Sequence, residues 1–397
     1  HQMSTDLVTI VGGGIGGLSA ALMMARSGTP VRVLEKAPTF GELGAGIQLA
    51  PNATRLLAEH DLLDDVLEHA VRPARLVMMN AITGEQLSTL DLTDAHQRYG
   101  APYIVMHRSD LLEVLLAHCR EHENVSLHEN TEVISFTDIG DEVELGCANG
   151  FTYRTQLLFG ADGLHSGVRS KVIDDEALCS GYTAYRGAVP IETVDRRVAF
   201  DDVVVWVGPG LHFVQYPVRG GELYNQVAVF RSEQYARGQA EWGTPDELDR
   251  TFAQTCEGVQ AALPSIQRDR RWPMFDRLPA DTWSTGRISL LGDAAHPMLQ
   301  YLAQGACQAL LDGGTLARVI PPLGPGPTWS TPAVTKALAD YQDRRLAQAS
   351  TVQTTARTWG DMWHVDPGVP MALRDEAFRL RSPHDYRHID WLYGETV

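Results

Sequence analysis

A run of glycines near the start of the chain constrains its fold more than any other feature of the sequence. Residues 8–36 read VTIVGGGIGGLSAALMMARSGTPVRVLEK. The pattern predicts a short strand, a turn of three glycines, a helix from about Ile15 to Arg26, and a second strand that ends at Glu35. Such a strand–turn–helix–strand unit indicates an α/β fold.

The spacing of these glycines gives each one a physical role. Gly12 allows a sharp turn, Gly14 lets the backbone approach a pyrophosphate, and Gly17 lets the helix press against the strand. The free N–H groups at the helix start would face the phosphates. Glu35 stands where a carboxylate accepts hydrogen bonds from a ribose. A plain glycine-rich turn is the alternative, but the context favours a dinucleotide site, without deciding between FAD and NAD(P).

Composition narrows the classes of function. The 397 residues carry a formal net charge of −17, which argues against binding to nucleic acid or to an anionic membrane, because both need a basic surface. The sequence contains no run of about 18 apolar residues, so no membrane span is predicted. The residues before Met3 are interpreted as an expression remnant, and no signal peptide is expected. The five cysteines show no CxxC or zinc spacing, which predicts a reduced, cytoplasmic protein without a metal site.

Two kinds of pattern alternate along the chain and predict a discontinuous domain organisation. Segments 74–104 and 181–284 alternate polar and apolar residues between Gly and Pro turns, which predicts a second, mostly antiparallel sheet that holds the substrate. Residues 334–397 are expected to form a C-terminal helical segment. The nucleotide-binding domain is expected from three remaining segments: 3–73, 105–180 and 285–333.

Three charged residues stand where predicted strands end or a predicted helix begins. Arg108 precedes a helix that Ser109 would cap. Asp162 and Asp293 each lie in a glycine-containing turn after an apolar strand. A solvated arginine and two ordinary turns would explain these residues equally well. Near Gln304 another helix begins, and its positive end would stabilise negative charge beside the nucleotide.

Four segments occur in a fixed order: GGGIGG with Glu35, HRSDLL at 107–112, GADGLHSGVR at 160–169, and LLGDAAHP at 290–297. This order resembles the single-component, FAD-dependent aromatic hydroxylases related to p-hydroxybenzoate and salicylate hydroxylases. Two later segments, QYLAQGACQ at 300–308 and DWLYG at 390–394, look most like the branch of 3-hydroxybenzoate 6-hydroxylases and 6-hydroxynicotinate monooxygenases.

The resemblance implies a fold and a cofactor. It implies a Rossmann-like FAD-binding domain, a mostly antiparallel substrate domain and a helical C-terminus, with a homodimer as the family expectation. NADH or NADPH would serve as reductant. The residues implied to bind FAD are Gly12, Gly14, Gly17, Glu35, Lys36, Arg108, Asp162, Asp293, Gly305 and Ala306.

The implied reaction uses NAD(P)H and O2 to hydroxylate a phenolic or hydroxypyridine ring para or ortho to its hydroxyl, through a flavin C4a-hydroperoxide. His212 is the candidate base for the ring hydroxyl, against a structural role in the core. Gln304 is the candidate hydrogen-bonding partner of the substrate or flavin, against helix capping. The candidate pocket residues, each of which could equally be packing, are Tyr185, Tyr216, Pro297 and Tyr301.

Several alternatives stay open at this point. The reaction could be decarboxylative hydroxylation of a salicylate or hydroxynicotinate, or a biosynthetic tailoring step, because no arginine is identified as a carboxylate anchor. Rab GDP-dissociation inhibitors use a related fold for binding alone, which gives a non-enzyme alternative. Flavin halogenases are disfavoured because their WxWxIP pattern is missing, and simple oxidases remain rivals. One departure from the family is Leu311-Asp312 in place of an acidic pair, followed by Gly313-Gly314, which weakens a helix.

Overall fold

The computed structural model describes residues 5–41, 45–194 and 201–397. The strands of these residues are, in chain order, β1 Thr5–Val11, β2 Val31–Leu34, β3 Gly46–Leu49, β4 Arg75–Asn80, β5 Gln86–Asp91, β6 Ile104–His107, β7 Val125–His128, β8 Val133–Asp138, β9 Val143–Cys147, β10 Thr152–Gly160, β11 Leu178–Pro190, β12 Asp202–Gly208, β13 Leu211–Val218, β14 Leu223–Arg231, β15 Trp272–Asp276, β16 Ser284–Thr285 and β17 Ile288–Leu290. The α-helices are α1 Ile15–Arg26, α2 Pro51–Glu59, α3 Leu63–Leu67, α4 Ala95–Tyr99, α5 Arg108–Glu121, α6 Glu233–Ala236, α7 Pro245–Phe252, α8 Glu257–Ala262, α9 Gly305–Val319, α10 Thr331–Trp363, α11 Val369–Arg379 and α12 Asp390–Tyr393.

Two large sheets and one strand pair organise these elements. The first sheet has the order β16-β17-β10-β1-β2-β7, with β9 added to β10 and β8 to β9. Its β17, β10, β1, β2 and β7 are parallel. The second sheet has the order β15-β11-β14-β13-β12-β4-β5 and is antiparallel except between β4 and β12. The predicted α/β fold with a mostly antiparallel second sheet is confirmed, and the residue boundaries between the units stay a prediction.

The glycine turn after β1 shows why this sequence folds as a nucleotide-binding unit. Gly12 has φ +114°, a conformation that L side chains rarely adopt. A Cβ atom on Gly17 would lie 1.9 Å from the carbonyl oxygen of Gly12. Only a chain without side chains at both positions can therefore bring α1 so close to the strand it follows.

Helix α9 crosses the back of this unit at equally short range. A Cβ on Gly313 would lie 3.0 Å from Cα of Ala20 in α1, and one on Gly314 would lie 2.6 Å from Leu56 in α2. The two glycines that lower helix propensity thus allow α9 to pack closely against both helices. Each glycine lowers the intrinsic stability of the helix by about 1 kcal/mol, and the close packing acts in the opposite direction.

Helix α10 connects the two sheets. Ser330 caps its start, since the N–H of Ala333 donates to Oγ of Ser330 at 3.3 Å. Tyr341 donates its hydroxyl proton to the carbonyl oxygen of Leu290, the last residue of β17, at 2.9 Å. The helix is longer than the sequence pattern predicts, which ends it at Arg357, and the added turns bring Trp363 against His212 of the second sheet. Among the described helices, none has the length and hydropathy that a bilayer span requires.

Candidate active site

The glycine turn and the start of α1 form the first part of the site. Gly14 precedes α1, whose first turn has neither a side-chain cap nor an acidic residue. The carboxylate of Glu35 is held beside the turn, where it accepts hydrogen bonds from the N–H groups of Gly13 at 3.0 Å and Ala37 at 2.7 Å. Lys36 is exposed next to it. The uncapped N–H groups of α1 and the fixed carboxylate suit a phosphate and a ribose respectively.

Asp162 lies against this turn. A Cβ on Gly12 would lie 2.2 Å from the carbonyl oxygen of Ala161 and 3.0 Å from the nitrogen of Asp162. The carboxylate of Asp162 accepts hydrogen bonds from the hydroxyl of Ser166 and, at 3.1 Å, from the N–H of Gly167. Burial raises the pKa of Asp162 despite these hydrogen bonds. The structure therefore brings two sequence-predicted cofactor residues, Gly12 and Asp162, into contact.

A cavity of about 390 Å³ lies between the nucleotide-binding unit and the second sheet. Arg108, Asp293, Gly305 and Ala306, all predicted to bind the cofactor, line it. The same cavity is lined by the predicted substrate residues His212, Tyr216, Tyr301 and Gln304. Side chains predicted for the cofactor and for the substrate thus share one enclosure.

The register of the second sheet explains which side chains reach this cavity. One row of residues crosses the sheet from β11 to β5 through adjacent strands, and every member lines the cavity: Arg186, Val227, Val214, Val205, Met78 and Ser88. His212 lies two residues before Val214 on β13, so it points to the same face.

The same register corrects the prediction that Tyr185 lines the pocket. Tyr185 is next to Arg186 on β11, so it points to the opposite face of the sheet. There it packs with Phe213 and Phe252 in a separate core covered by α7 and α8, and its hydroxyl donates to the carbonyl oxygen of Gly243. Pro297 is also buried but does not line the cavity, and its carbonyl oxygen accepts from Nε2 of Gln353 at 3.1 Å.

His212 lies in a cluster of rings at the end of α10. Its Nδ1 lies 2.8 Å from Nε2 of His364, and the two rings stack with centroids 5.1 Å apart. Tyr301 and Trp363 pack edge-on against it. Burial, with His364 adjacent, lowers the pKa of His212 well below its ordinary value, and burial near Arg231 lowers that of His364 to about 3. Both imidazoles are therefore neutral at physiological pH, and Nε2 of His212 is the ring nitrogen that His364 leaves available.

Gln304 is positioned by a sharp change in the backbone. Ala303 has φ 54°, a strained left-handed conformation for alanine, and it directs the chain from a short 3-10 turn into α9. The Gln304 side chain is 1% exposed, and its Oε1 accepts hydrogen bonds from Nδ2 of Asn52 at 2.9 Å and Nε2 of Gln308 at 3.0 Å. Within the described residues, its Nε2 has no hydrogen-bond partner.

A buried ion cluster supports α9 from behind. Asp312 accepts hydrogen bonds from Nε of Arg345 at 2.8 Å and from the N–H of Gly292 at 2.9 Å, and its Oδ2 lies 2.6 Å from Nε2 of His296. Burial alone would raise the pKa of Asp312, but the nearby His296 and Arg345 hold it below its usual range. The departure from the family at Leu311-Asp312 therefore leaves one buried carboxylate that is fully paired.

Positive charge dominates the cavity. Of the charged side chains that line it in the described part of the chain, three are arginines (Arg108, Arg186 and Arg381) and one is an aspartate, Asp293. Burial, and next the charge of Arg108, lower the pKa of Arg186 to about 10. The guanidinium of Arg186 stacks over Trp272, with its Cζ atom 4.4 Å from the ring centroid. Burial also lowers the pKa of Arg381, whose Nε has no partner in the described residues.

Sequence reasoning missed two residues of this cavity wall, Arg186 and Arg381, and it missed His364, which contacts His212 from behind the wall. The alternation around β11 places Arg186 on the face opposite Tyr185 and could have singled it out. His364 and Arg381 carried no local signal, because each reaches the site only through the packing of α10 and α11. A separate surface group, Asp91, Asp94 and His384, brings potential metal-ligand atoms within 4.8 Å of one another, but the Asp91 carboxylate already accepts from Thr93 and His384 pairs with Asp94.

Comparison with known proteins places this geometry in context. Residues 5–355 match the family model described as FAD binding domain. The 3-hydroxybenzoate 6-hydroxylase of Polaromonas naphthalenivorans (strain CJ2) is 36% identical over 98% of this chain and 96% of its own length. The 3-amino-4-hydroxybenzoate 2-monooxygenase of Streptomyces cremeus is 35% identical over 98% of this chain and 95% of its own. The 6-hydroxynicotinate 3-monooxygenase of Bordetella bronchiseptica is 31% identical over 89% and 91%.

Solved structures share the same fold. Klebsiella pneumoniae HpxO, crystallised with FAD and uric acid, superposes with a TM-score of 0.83 at 24% identity, covering 98% of this chain and 96% of that one. A salicylate hydroxylase substrate complex superposes with a TM-score of 0.78 at 24% identity, covering 99% and 96%. At this level of identity the superposition shows a common fold.

Proposed function

The chain belongs to the FAD binding domain family as a flavoprotein aromatic hydroxylase, and we propose that its substrate is a hydroxybenzoate. The reaction would use NADH or NADPH and O2 to add a hydroxyl group para or ortho to the ring hydroxyl. One observation carries the proposal: Asp293 and Gly305, predicted to hold the flavin end of the cofactor, share a cavity with His212 and Gln304.

The residues of the nucleotide-binding unit fit FAD. A Cβ on either Gly12 or Gly17 would collide with backbone, so the turn is built for close approach, and α1 begins without a cap of its own. Glu35 and Asp293 supply carboxylates for the ribose and ribityl hydroxyls. When bound, FAD supplies the electron transfer and oxygen activation, and the protein supplies binding, orientation and exclusion of water.

His212 would act on the ring hydroxyl of the substrate. The ring is most reactive when this hydroxyl is ionised, and a free phenol has a pKa of about 10. In the tautomer whose Nδ1–H donates to Nε2 of His364, a neutral His212 offers Nε2 as a hydrogen-bond acceptor for the phenol proton, and His364 fixes the ring from the other side. Its depressed pKa keeps His212 ready to accept, and an adjacent phenolate would favour the protonated form in the complex. Tyr301 and Trp363, which pack edge-on against His212, would help to exclude water from the contact between His212 and the ring hydroxyl.

The excess of arginine in the cavity favours an anionic substrate. Arg381 is our candidate for the carboxylate anchor, because a guanidinium with an unpartnered buried Nε is costly unless a ligand supplies the acceptor. Salicylates and hydroxynicotinates also carry a carboxylate, so decarboxylative hydroxylation is the second candidate reaction. A tailoring reaction on an aminohydroxybenzoate is the third, supported by the Streptomyces cremeus relative.

A substrate panel tests the proposal. Hydroxybenzoates, salicylate, 6-hydroxynicotinate and neutral phenols would each be added to the FAD-loaded enzyme, with oxidation of NADH and NADPH and the product mass as readouts. We expect a hydroxybenzoate to stimulate oxidation most and to gain one oxygen. Loss of carbon dioxide in the product would favour the second candidate, and the absence of stimulation by every ring-hydroxyl compound would contradict the proposal.

Two further properties are part of the proposal. We infer a cytoplasmic location, because Cys119, Cys147, Cys179, Cys256 and Cys307 all lack a disulfide. A homodimer follows only from the family resemblance, and light scattering of the FAD-loaded protein would test it.

A further inference from the structure

The carboxamide of Gln304 can face the cavity in only one orientation. Arginine only donates hydrogen bonds, so the atom of Gln308 that meets Arg345 must be its Oε1, at 2.5 Å from Nη2. The other end of that carboxamide, Nε2, then faces Oε1 of Gln304 at 3.0 Å. Because Arg345 occupies the oxygen of the Gln308 carboxamide, the group that Gln308 presents to Gln304 is its N–H donor.

A second contact imposes the same orientation. The backbone N–H of Ala53 can only donate, and it lies 2.9 Å from Oδ1 of Asn52. Nδ2 of Asn52 is therefore the atom that faces Oε1 of Gln304, at 2.9 Å. Two N–H groups converge on Oε1, and Nε2 of Gln304 is left for the cavity that the side chain lines.

We propose that Arg345 and Gln308 are positioning residues that lock Gln304 as a hydrogen-bond donor, so that the site selects the unprotonated ring oxygen of its substrate. The proposal rests on the proposed function, since it concerns the same cavity. An N–H donor stabilises a phenolate oxygen more than a protonated hydroxyl, because hydrogen bonds to charged groups are the stronger ones. His212, as an acceptor, would take the proton that leaves, and Gln304 would bind the oxygen that remains.

Arg345 is itself held by two acids. It donates to Asp312 at 2.8 Å and to Glu395, in the C-terminal segment, at 2.9 Å. Arg345 and Asp312 are fully buried. The hydrogen bonds that hold Gln304 therefore continue through Gln308 and Arg345 to Glu395 in the C-terminal segment.

The charged and titratable groups around Gln304 fall on two sides. Behind it, in contact with Gln308 or with one another, lie Arg345, Asp312, Glu395 and His296. In the cavity, His212 and the carboxylate of Asp293 lie with the arginines described above and with the hydroxyls of four tyrosines, Tyr103, Tyr216, Tyr301 and Tyr393. The test must therefore distinguish an effect on binding of the ring oxygen from an effect of the electrostatic field of the whole cavity. A ligand without a ring hydroxyl makes this distinction.

The experiment compares two ligands on FAD-loaded enzyme. Affinities for 3-hydroxybenzoate and benzoate would be measured from pH 6.5 to 9.5 by the change in flavin absorbance, and the ultraviolet spectrum would report ionisation of the bound ring hydroxyl. In the unaltered enzyme we expect the bound hydroxyl to ionise below its free pKa of about 10. In Gln308→Met we expect the phenolate to bind about three-fold more weakly, because Nδ2 of Asn52 alone then holds Oε1 of Gln304, with the affinity for benzoate unchanged.

Two further variants accompany this experiment: a matched control at Gln156 and a second substitution at Gln308. Gln156 is also buried and also accepts from a buried arginine, Arg287, but it does not line the cavity, so Gln156→Met should match the unaltered enzyme. If Gln308→Met fails to fold, Gln308→Glu keeps an acceptor for Arg345 while removing the N–H that faces Gln304, and the same loss for the ring oxygen is expected.

Three outcomes would overturn the inference. One is an unchanged ionisation of bound 3-hydroxybenzoate in the Gln308 variant, and another is an equal loss of benzoate binding. A shift of the flavin reduction potential with no change in ligand ionisation would show that Gln304 acts on the flavin instead. If the unaltered enzyme binds no ring-hydroxyl compound at all, the proposed function fails and this inference fails with it.

Discussion

Nδ1 of His212, in the middle of the second sheet, lies 2.8 Å from Nε2 of His364, the residue that follows the last residue of α10. The contact joins a strand of the substrate sheet to the C-terminal end of a helix that begins near the first sheet. We expect it to fix the orientation and tautomer of His212, so that Nε2 is always the nitrogen presented to the cavity.

The first prediction concerns this pair. His212→Ala should lower the hydroxylation rate about a hundred-fold while FAD stays bound, because the ring hydroxyl loses its acceptor. His364→Leu should lower it about ten-fold, because His212 remains but can rotate. Product formed per NADH oxidised, with peroxide release, would measure both effects. His364→Gln keeps a hydrogen-bonding group and should recover part of the loss. Equal coupling in the Leu and Gln variants would show that His364 serves only packing.

The second prediction concerns stability against pH. The pKa of His364 falls to about 3 in the folded protein and that of His212 falls well below normal, whereas an unfolded histidine titrates near 6.5. The unfolded chain therefore binds more protons at these two sites as the pH falls below about 6.5, and the folded state loses stability there. Above that pH both states are neutral and the pair contributes no slope. The melting temperature should drop more steeply between pH 7 and pH 5 in the unaltered enzyme than in His364→Leu, and parallel profiles would contradict this origin.

The third prediction concerns the glycine turn. Gly17→Ala should abolish FAD binding and lower the free energy of unfolding by about 2 kcal/mol or more, because the new Cβ would lie 1.9 Å from the Gly12 carbonyl. Flavin absorbance of the purified protein and urea denaturation would measure the two effects. Gly167→Ala is the control, since no atom lies within 4 Å of its Cβ position and its φ is not in the left-handed region. Normal FAD content in Gly17→Ala would show that α1 can move away without harm.

The fourth prediction concerns the carboxylate anchor. Arg381→Met should raise KM for a hydroxybenzoate about ten-fold or more, with a much smaller effect on the corresponding neutral benzamide, because only the acid loses a charged hydrogen bond. Arg379→Met is a matched control: Arg379 lies two residues earlier, exposed, and pairs with Glu85 at 2.7 Å. Equal effects on acid and amide would assign Arg381 to the cavity shape rather than to charge recognition.

The sequence pointed to the parts of the candidate site that local rules govern. Gly12, Gly17 and Glu35 belong to one contiguous strand–turn–helix–strand unit, whose geometry follows from backbone conformation within about 30 residues. Asp162 and Asp293 were placed by their turns after buried strands. The structure brings Asp162 to Gly12 and Asp293 to the shared cavity.

Residues that depend on tertiary packing were not predictable in the same way. Tyr185 was a pocket candidate with packing as an equal alternative, and the structure shows packing; the sequence could not decide because the face of a residue depends on the strand register, and one residue of offset reverses it. Gln308 looked like any helix residue, since its role depends on Arg345, 37 positions later. His364 lay beyond the predicted end of α10, so nothing in the sequence connected it with His212.

Helix α10 also limits how this enzyme can change during evolution. Its 33 residues span about 50 Å, and residues near its start contact the first sheet while its end contacts His212. Inserting one residue in its middle would rotate everything beyond by about 100° and remove His364 from His212, while leaving the cofactor unit intact. Substitutions in the last turn would instead alter the substrate wall alone. New substrate preferences should therefore arise by point replacement at the end of this helix, and length changes within it should be rare among active relatives.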